Sequence, residues 1–396
     1  MKKTVAVFFL FIVTQSFGQK NVFKKGLIIE KNYYTEINFE FISEKIIIPI
    51  EIENKVYRFM LDTGAPNLIS ANLKSIIKTV SIKNINVRDA TNRQNSLEIV
   101  SIPEINFGGV IFKNCPTLVD KNKDNLIFDC FEIDGIIGSN MLQKSIVQID
   151  LKEKVIRLTD AKKKLNLNKE NAAKLYLIGG QKSPYIWINL KGKTNAREQL
   201  LIDTGMKGFY DLSLKNFGIL QKNNIYKVHN EGIGSKSIGL FGAAKKSKHY
   251  RVSVEDLKIN NTTFINVTTE TTNDSNSRIG SEILKYGIMT IDFLNNKFYF
   301  DSFEKTTNLQ KKILGFSPTI INNKLAVGIV WDGDLKKEIS FGDEIIKLNT
   351  LDVTKIDICD FITSKTIYNK KDTIELTVKT SEGLLKTLLV EKTLPK

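Results

Sequence analysis

The chain has 396 residues, 42% hydrophobic and 26% charged, with a formal net charge of +15. That length and balance suit a globular protein of two or three domains and exclude a disordered or collagen-like chain. The positive excess is mostly lysine spread along the sequence, with short runs at Lys162–Lys164 and at Lys245 and Lys246. No recognition motif accompanies it, so it reads as a solvated surface and no nucleic-acid partner is expected.

In chain order, residues 1–18 come first. Lys2 and Lys3 precede an apolar run from Val5 to Val13, and Ser16-Phe17-Gly18 follows. This is the pattern of a secretory signal peptide, with Gln19 as the first mature residue, and it predicts export to the periplasm, the cell surface or the medium. The run is short for a bilayer, and no later segment is long and apolar enough, so no membrane span is expected in the mature chain.

Beyond residue 40, short β-branched runs alternate with Asn, Gly, Asp and Lys, as at Ile46–Ile52, Val56–Leu61, Val252–Ile259 and Lys297–Phe300. Helical periodicity is rare before residue 310, so the pattern predicts an all-β fold, with brief helices near Leu142 and Leu284. Residues 160–175, rich in lysine and asparagine, read as a connection between two units.

Two strand-like runs end in the same tripeptide. Phe59-Met60-Leu61 leads into Asp62-Thr63-Gly64, and Leu200-Leu201-Ile202 leads into Asp203-Thr204-Gly205. One such tripeptide arises by chance in a chain of this length with a probability on the order of one in ten. Two in matched contexts are far rarer, and they belong to a longer repeat. Ile137-Gly138-Ser139 recurs as Ile279-Gly280-Ser281, and Val147–Leu151 recurs as Met289–Phe293, both at an offset of 142 residues; the tripeptides recur at 141. Such a period implies two copies of one compact unit, not a solenoid.

The chemistry that needs two such aspartates is a pair of carboxylates sharing one proton around a water molecule. Each apolar strand delivers its aspartate to a buried position. Gly64 and Gly205 permit a tight turn, and Thr63 and Thr204 can bond backbone across the site. The ionised member is then a general base on the water, and the protonated member polarises the scissile carbonyl. Neither metal nor cofactor is expected. His229 and His249 sit in no zinc-ligand spacing and beside no nucleophile motif.

Of the three cysteines, Cys115 and Cys130 fall in the same unit and a bridge between them is possible, which spacing does not establish. Cys359 is then left over and reads as a small buried apolar residue.

These motifs resemble the pepsin and retropepsin superfamily of aspartic proteases, specifically secreted bacterial members with two retropepsin-like lobes and a C-terminal PDZ-like domain. The resemblance covers roughly residues 40–395. It implies catalytic roles for Asp62 and Asp203, with loop support from Thr63, Gly64, Ala65, Thr204 and Gly205, and from Ile137, Gly138, Ile279 and Gly280 packed behind. Ala65 is retropepsin-like. Met206 and Arg278 depart from the pattern and favour decay of the second lobe. Hairpin flaps are expected over the site, with tips at Asp89-Ala90-Thr91 and at Gly232-Ile233-Gly234. The segment Gly342-Asp343-Glu344-Ile345 resembles a bacterial PDZ domain, which implies a groove for a C-terminal peptide beside Leu314-Gly315-Phe316. The usual Ser-Pro-Ala of its helix is replaced by Asp334-Leu335-Lys336-Lys337, which puts that groove in question.

The expected organisation is therefore a signal peptide at 1–18, a first lobe at 19–160, a second at 161–305 and a small α+β PDZ-like domain at 306–396. The expected function is that of an exported, monomeric aspartic endopeptidase acting on peptides or unfolded proteins. The alternative is an inactive peptide-binding protein on the same fold. Alanine at position 65 cannot donate a side-chain hydrogen bond to the aspartate, so a pH optimum nearer neutral than in pepsins is expected.

Overall fold

The structure is a computed structural model that describes residues 22–122, 125–363 and 372–395. The expected signal peptide at 1–18 lies outside them. Among the described residues the strands form two nine-stranded sheets, two of six strands and one of two. The fold is all-β in its two repeated halves, as the alternating runs predict, and no helix among the described residues is long and apolar enough to cross a membrane.

The strands follow the hydrophobic runs. Lys45–Ile52 and Lys55–Asp62 pair antiparallel through a two-residue turn at Glu53 and Asn54, with φ of 53° and 62°. Positive φ at both positions is what such a hairpin demands. Lys55–Asp62 buries Phe59, Met60 and Leu61 in succession, the mark of a strand covered on both faces. It pairs parallel with Gly135–Gly138, which places Gly138 opposite Asp62. The second half repeats this: Asn195–Ile202 runs parallel to Arg278–Ile279, with Ile202 opposite Ile279.

The two halves join in a shared six-stranded sheet. Its central pair is Ile146–Asp150 against Gly287–Asp292, antiparallel, with Gln148 opposite Thr290 and its amide Nε2 donating to Thr290 Oγ1 at 3.0 Å. Residues 148 and 290 are themselves equivalents under the 142-residue offset. A residue paired with its own equivalent marks the local twofold axis, so the axis passes between these two side chains. One continuous apolar cluster runs from Tyr33 to Phe300 through both halves. The brief helices expected near Leu142 and Leu284 are present at Ser139–Leu142 and Ser281–Lys285. The connecting segment is less loose than expected, because Ala172–Lys174 adds a strand to the shared sheet.

Beyond residue 310 a separate sheet is built on its own apolar cluster. It comprises Phe316–Ile321, Lys324–Val330, Glu344–Leu348, Leu351–Asp352, Thr373–Lys379 and Leu385–Glu391. Its helices, Leu335–Glu338 and Ile358–Thr363, are short.

The cysteines pair differently from the reading above. The disulfide joins Cys130 to Cys359, and Cys115 is free. Cys115 lies on the strand Val110–Asp120 within the core, where burial pushes its thiol up to about 12. Cys130 lies on the helix Leu126–Phe131, which packs against the helix bearing Cys359. That meeting of distant segments has no signature in cysteine spacing.

Candidate active site

The parallel strand pairs bring Asp62 and Asp203 to the axis, and each tripeptide grips the other half. Thr63 Oγ1 donates to Ile202 O at 2.6 Å, and Thr204 Oγ1 donates to Leu61 O at 2.8 Å. Each hydroxyl also accepts the other threonine's backbone N–H at 3.1 Å. Both threonines are fully buried, so the four bonds are shielded from water and hold the two loops in one register.

The glycines are required by close approach. A Cβ on Gly64 would sit 2.6 Å from Asp203 Cγ, and one on Gly205 would sit 2.2 Å from Asp62 Oδ2. Both sit in the expected tight turns, but neither has positive φ, so a left-handed backbone is not what demands glycine. Each instead leaves room for the opposite carboxylate. Behind the loops, Ser139 N donates to Ala65 O and Ser281 N to Met206 O, both at 3.0 Å. Gly138 and Gly280 leave room for those carbonyls, since a Cβ would lie 2.3 Å from Ala65 O and 2.7 Å from Met206 O. Ile137 and Ile279 are buried in the core beside them.

The two carboxylates differ in their partners. Asp62 Oδ1 accepts the backbone N–H of Gly64 at 2.8 Å and of Ala65 at 3.1 Å. Burial first, and the charge of Asp203 second, push Asp62 up to about 7 against the pull of Lys45. Asp203 Oδ2 instead accepts from Arg278 Nη1 at 2.8 Å, and Arg278 also pairs with Asp274. Lys45 Nζ donates to Gly205 O, and burial pushes it below its usual range although both aspartates pull the other way. On the opposite side Gln181 Nε2 donates to Gly64 O at 3.0 Å.

Lys45, Gln181 and Asp274 were missed from sequence. One lysine among 58 basic residues carries no mark of its destination. Arg278 did carry one: a charge where the repeat has Ile136.

The flap candidates divide. The turn at the end of Val80–Arg88 and Gln94–Phe107 is organised by Asp89, whose Oδ1 accepts from Thr91 N at 2.9 Å and Thr91 Oγ1 at 2.7 Å, with Ala90 between them. Gly232, Ile233 and Gly234 are not at a tip. They lie within the strand Lys227–Gly234, and the hairpin tip falls further on, at Leu240 and Phe241 between Ile238–Gly239 and Gly242–Ala243. The two tips touch: Phe241 N donates to Asp89 Oδ2 at 2.9 Å, and Arg93 Nη1 donates to Phe241 O at 3.2 Å. Leu240 and Phe241 pack against an apolar cluster of the first half.

Gly232 and Gly234 serve a different contact. A Cβ on Gly234 would lie 1.8 Å from Gly328 O, and one on Gly232 would lie 2.7 Å from Val330 O, both in the C-terminal sheet. Around this seam Glu270 pairs with Lys236 at 2.6 Å and Arg251 at 2.7 Å, and accepts from Ser317 Oγ at 3.1 Å. Burial alone would raise Glu270, but the two cations outweigh it and hold it at about 2. Arg251 also stacks over Trp331, 4.7 Å from the ring centre.

Of the residues expected to form a peptide groove, Leu314 is engaged in the same seam, and Gly315 and Phe316 make contacts within the C-terminal sheet. Leu314 O accepts from Arg251 Nη1 at 2.8 Å. Gly315 O accepts from Trp331 N at 2.8 Å and Asp332 N at 3.0 Å. Phe316 is buried in the C-terminal core.

Residues 48–141 match the aspartyl protease family. That stretch contains Asp62, Gly64 and Gly138. Among solved structures, the chain is similar to the crystal structure of an aspartic proteinase from Irpex lacteus, with a TM-score of 0.43 and 12% identity over 68% of this chain and 97% of that one. No curated protein matches the chain.

Proposed function

We propose that the protein is an aspartic endopeptidase whose catalytic pair is Asp62 and Asp203. The observation that carries this reading is the placement of the two carboxylates across the axis, locked by Thr63 and Thr204, each against the other half's glycine. Two carboxylates so close hold one proton between them and titrate as a unit. A water on the pair gives its proton to the ionised member as its oxygen attacks the peptide carbonyl carbon. The protonated member donates to the carbonyl oxygen. Collapse of the resulting diol returns a proton to the amide nitrogen as the C–N bond breaks.

The substrate is a peptide or unfolded segment that enters beneath the tips at Asp89 and Phe241, which must part to admit it. The domain reading is two lobes at 19–160 and 161–305 with a C-terminal domain at 306–396. The bond from Arg251 to Leu314 O favours a packing role for that domain over capture of a free peptide. Residues 1–18 are read as an export signal and the active species as a monomer, since both aspartates lie on one chain.

A second reading is an inactive peptide-binding protein. The bond from Arg278 to Asp203 favours it, because a carboxylate already paired to a guanidinium is a weaker base. The deciding experiment is cleavage of a denatured protein at pH 3 to 8, beside Asp62→Asn and Asp203→Asn. The protease reading expects each substitution to cost on the order of 10²-fold or more. A folded parent that cuts nothing, or variants that cut as well as the parent, would favour peptide binding.

A further inference from the structure

The two halves share backbone register around the pair, and among their differences is one charged side chain that bonds to it. Ile136 lies opposite Met60, and Arg278 lies opposite Leu201. These are equivalent positions of the repeat. In the first half the position packs in an apolar cluster. In the second it sends Nη1 to Asp203 Oδ2 at 2.8 Å, with the far side of the guanidinium on Asp274. The fold does not need this charge, because the first half is built at the same place with isoleucine. Arg278 also leaves its buried Nε without a partner among the described residues. A guanidinium only 15% exposed, with a buried donor unsatisfied, is costlier than an apolar side chain of similar reach. Stability therefore does not account for it, and its contact with the reacting carboxylate does.

We propose that Arg278 is a positioning residue that sets the polarity of the pair, holding Asp203 as the carboxylate that takes the water's proton and leaving Asp62 as the acid. This rests on the protease reading above. It reads the same bond as a division of labour between the two aspartates of the repeat. The other charges around the pair do not make that choice. Lys45 faces both carboxylates, and Lys207 stands beside Lys45. Asp211 lies near Asp203 and Arg278, with Lys236 beside it. Tyr185 lies near Arg278 and Asp203. Among the described residues Arg278 is the charged side chain bonded directly to one aspartate, Asp203, whereas Asp62 takes its bonds from the uncharged backbone N–H groups of Gly64 and Ala65.

The test is the pH profile of kcat/KM for the parent, Arg278→Met and Arg278→Lys, together with a 13C titration of the aspartate carboxyls in the same proteins. An arginine beside an aspartate lowers its pKa by about 1–3 units. Arg278→Met should therefore move the acid limb of the profile up by at least about one pH unit. Arg278→Lys should return the limb most of the way. Should methionine prevent folding, Arg278→Gln is expected to move the limb as methionine would. Asp274→Asn, which leaves the whole guanidinium charge to Asp203, should move it down. A fall in kcat by one factor at every pH, with both limbs in place, would overturn the proposal and leave Arg278 a structural residue. If the folded parent cuts nothing, the protease reading fails by itself. The carboxyl titration still decides whether Arg278 separates the two aspartates, and an Asp203 titration unmoved in Arg278→Met overturns that.

Discussion

At the scale of single residues, the pair is governed by what surrounds each carboxylate. Asp62 Oδ1 receives backbone N–H donors from Gly64 and Ala65. Position 65 has no hydroxyl to add a third. With burial and Asp203 pushing Asp62 up to about 7, its proton stays on through mildly acidic pH and is lost as pH rises through that value. Under the proposed mechanism, loss of that proton removes the acid that polarises the carbonyl, so kcat/KM should fall about tenfold per pH unit above the limb. A profile from pH 4 to 9 checks this, and an alkaline limb below about pH 5 would contradict it. Ala65→Ser should shift the limb toward acid by about one unit, since a hydrogen bond to a charged group is worth about 1.5–3 kcal/mol and one unit is about 1.4 kcal/mol.

At the scale of elements, glycine was the ambiguous letter. A cluster such as Glu231-Gly232-Ile233-Gly234 signals a hairpin tip when read alone, because tips use positive φ. Here neither Gly232 nor Gly234 has positive φ, and both instead let one strand approach another sheet. Sequence does not separate these two demands, since each asks only for a missing Cβ. The difference is measurable. Gly234→Ala would put a methyl 1.8 Å from Gly328 O, so the strand or the C-terminal sheet must shift. Urea denaturation should show a loss of about 1–3 kcal/mol. Gly218, within the helix Leu214–Leu220, has nothing within 4 Å of its would-be Cβ. Gly218→Ala should therefore stabilise, by up to about 1 kcal/mol. Equal effects at the two positions would refute the close-contact account.

At the scale of the whole molecule, the C-terminal sheet is tied to both halves. Cys359 binds it covalently to Cys130 in the first half, and the Glu270 cluster binds it to the second. It thereby braces the strand that leads to the Phe241 tip. The disulfide spans 229 residues, so it removes a large loop from the unfolded ensemble. Cys359→Ser should cost about 2–5 kcal/mol, measured by denaturation without reductant. It should also open the C-terminal sheet to limited proteolysis. A variant as stable and as protease-resistant as the parent would show that the noncovalent seam suffices.

The repeat, the all-β fold, both aspartates and the brief helices behind them were legible in the sequence. Each is a local pattern that recurs: apolar runs set the strands, and two copies of one tripeptide set the candidate site. Arg278 was legible only as a departure from its counterpart Ile136. The partners of Asp203, the arrival of Lys45 at Gly205, the meeting of Asp89 with Phe241 and the bridge from Cys130 to Cys359 join residues far apart in the chain. Nothing in their local sequence names a partner, because such contacts are selected by packing between sheets. Only the tertiary structure could decide them.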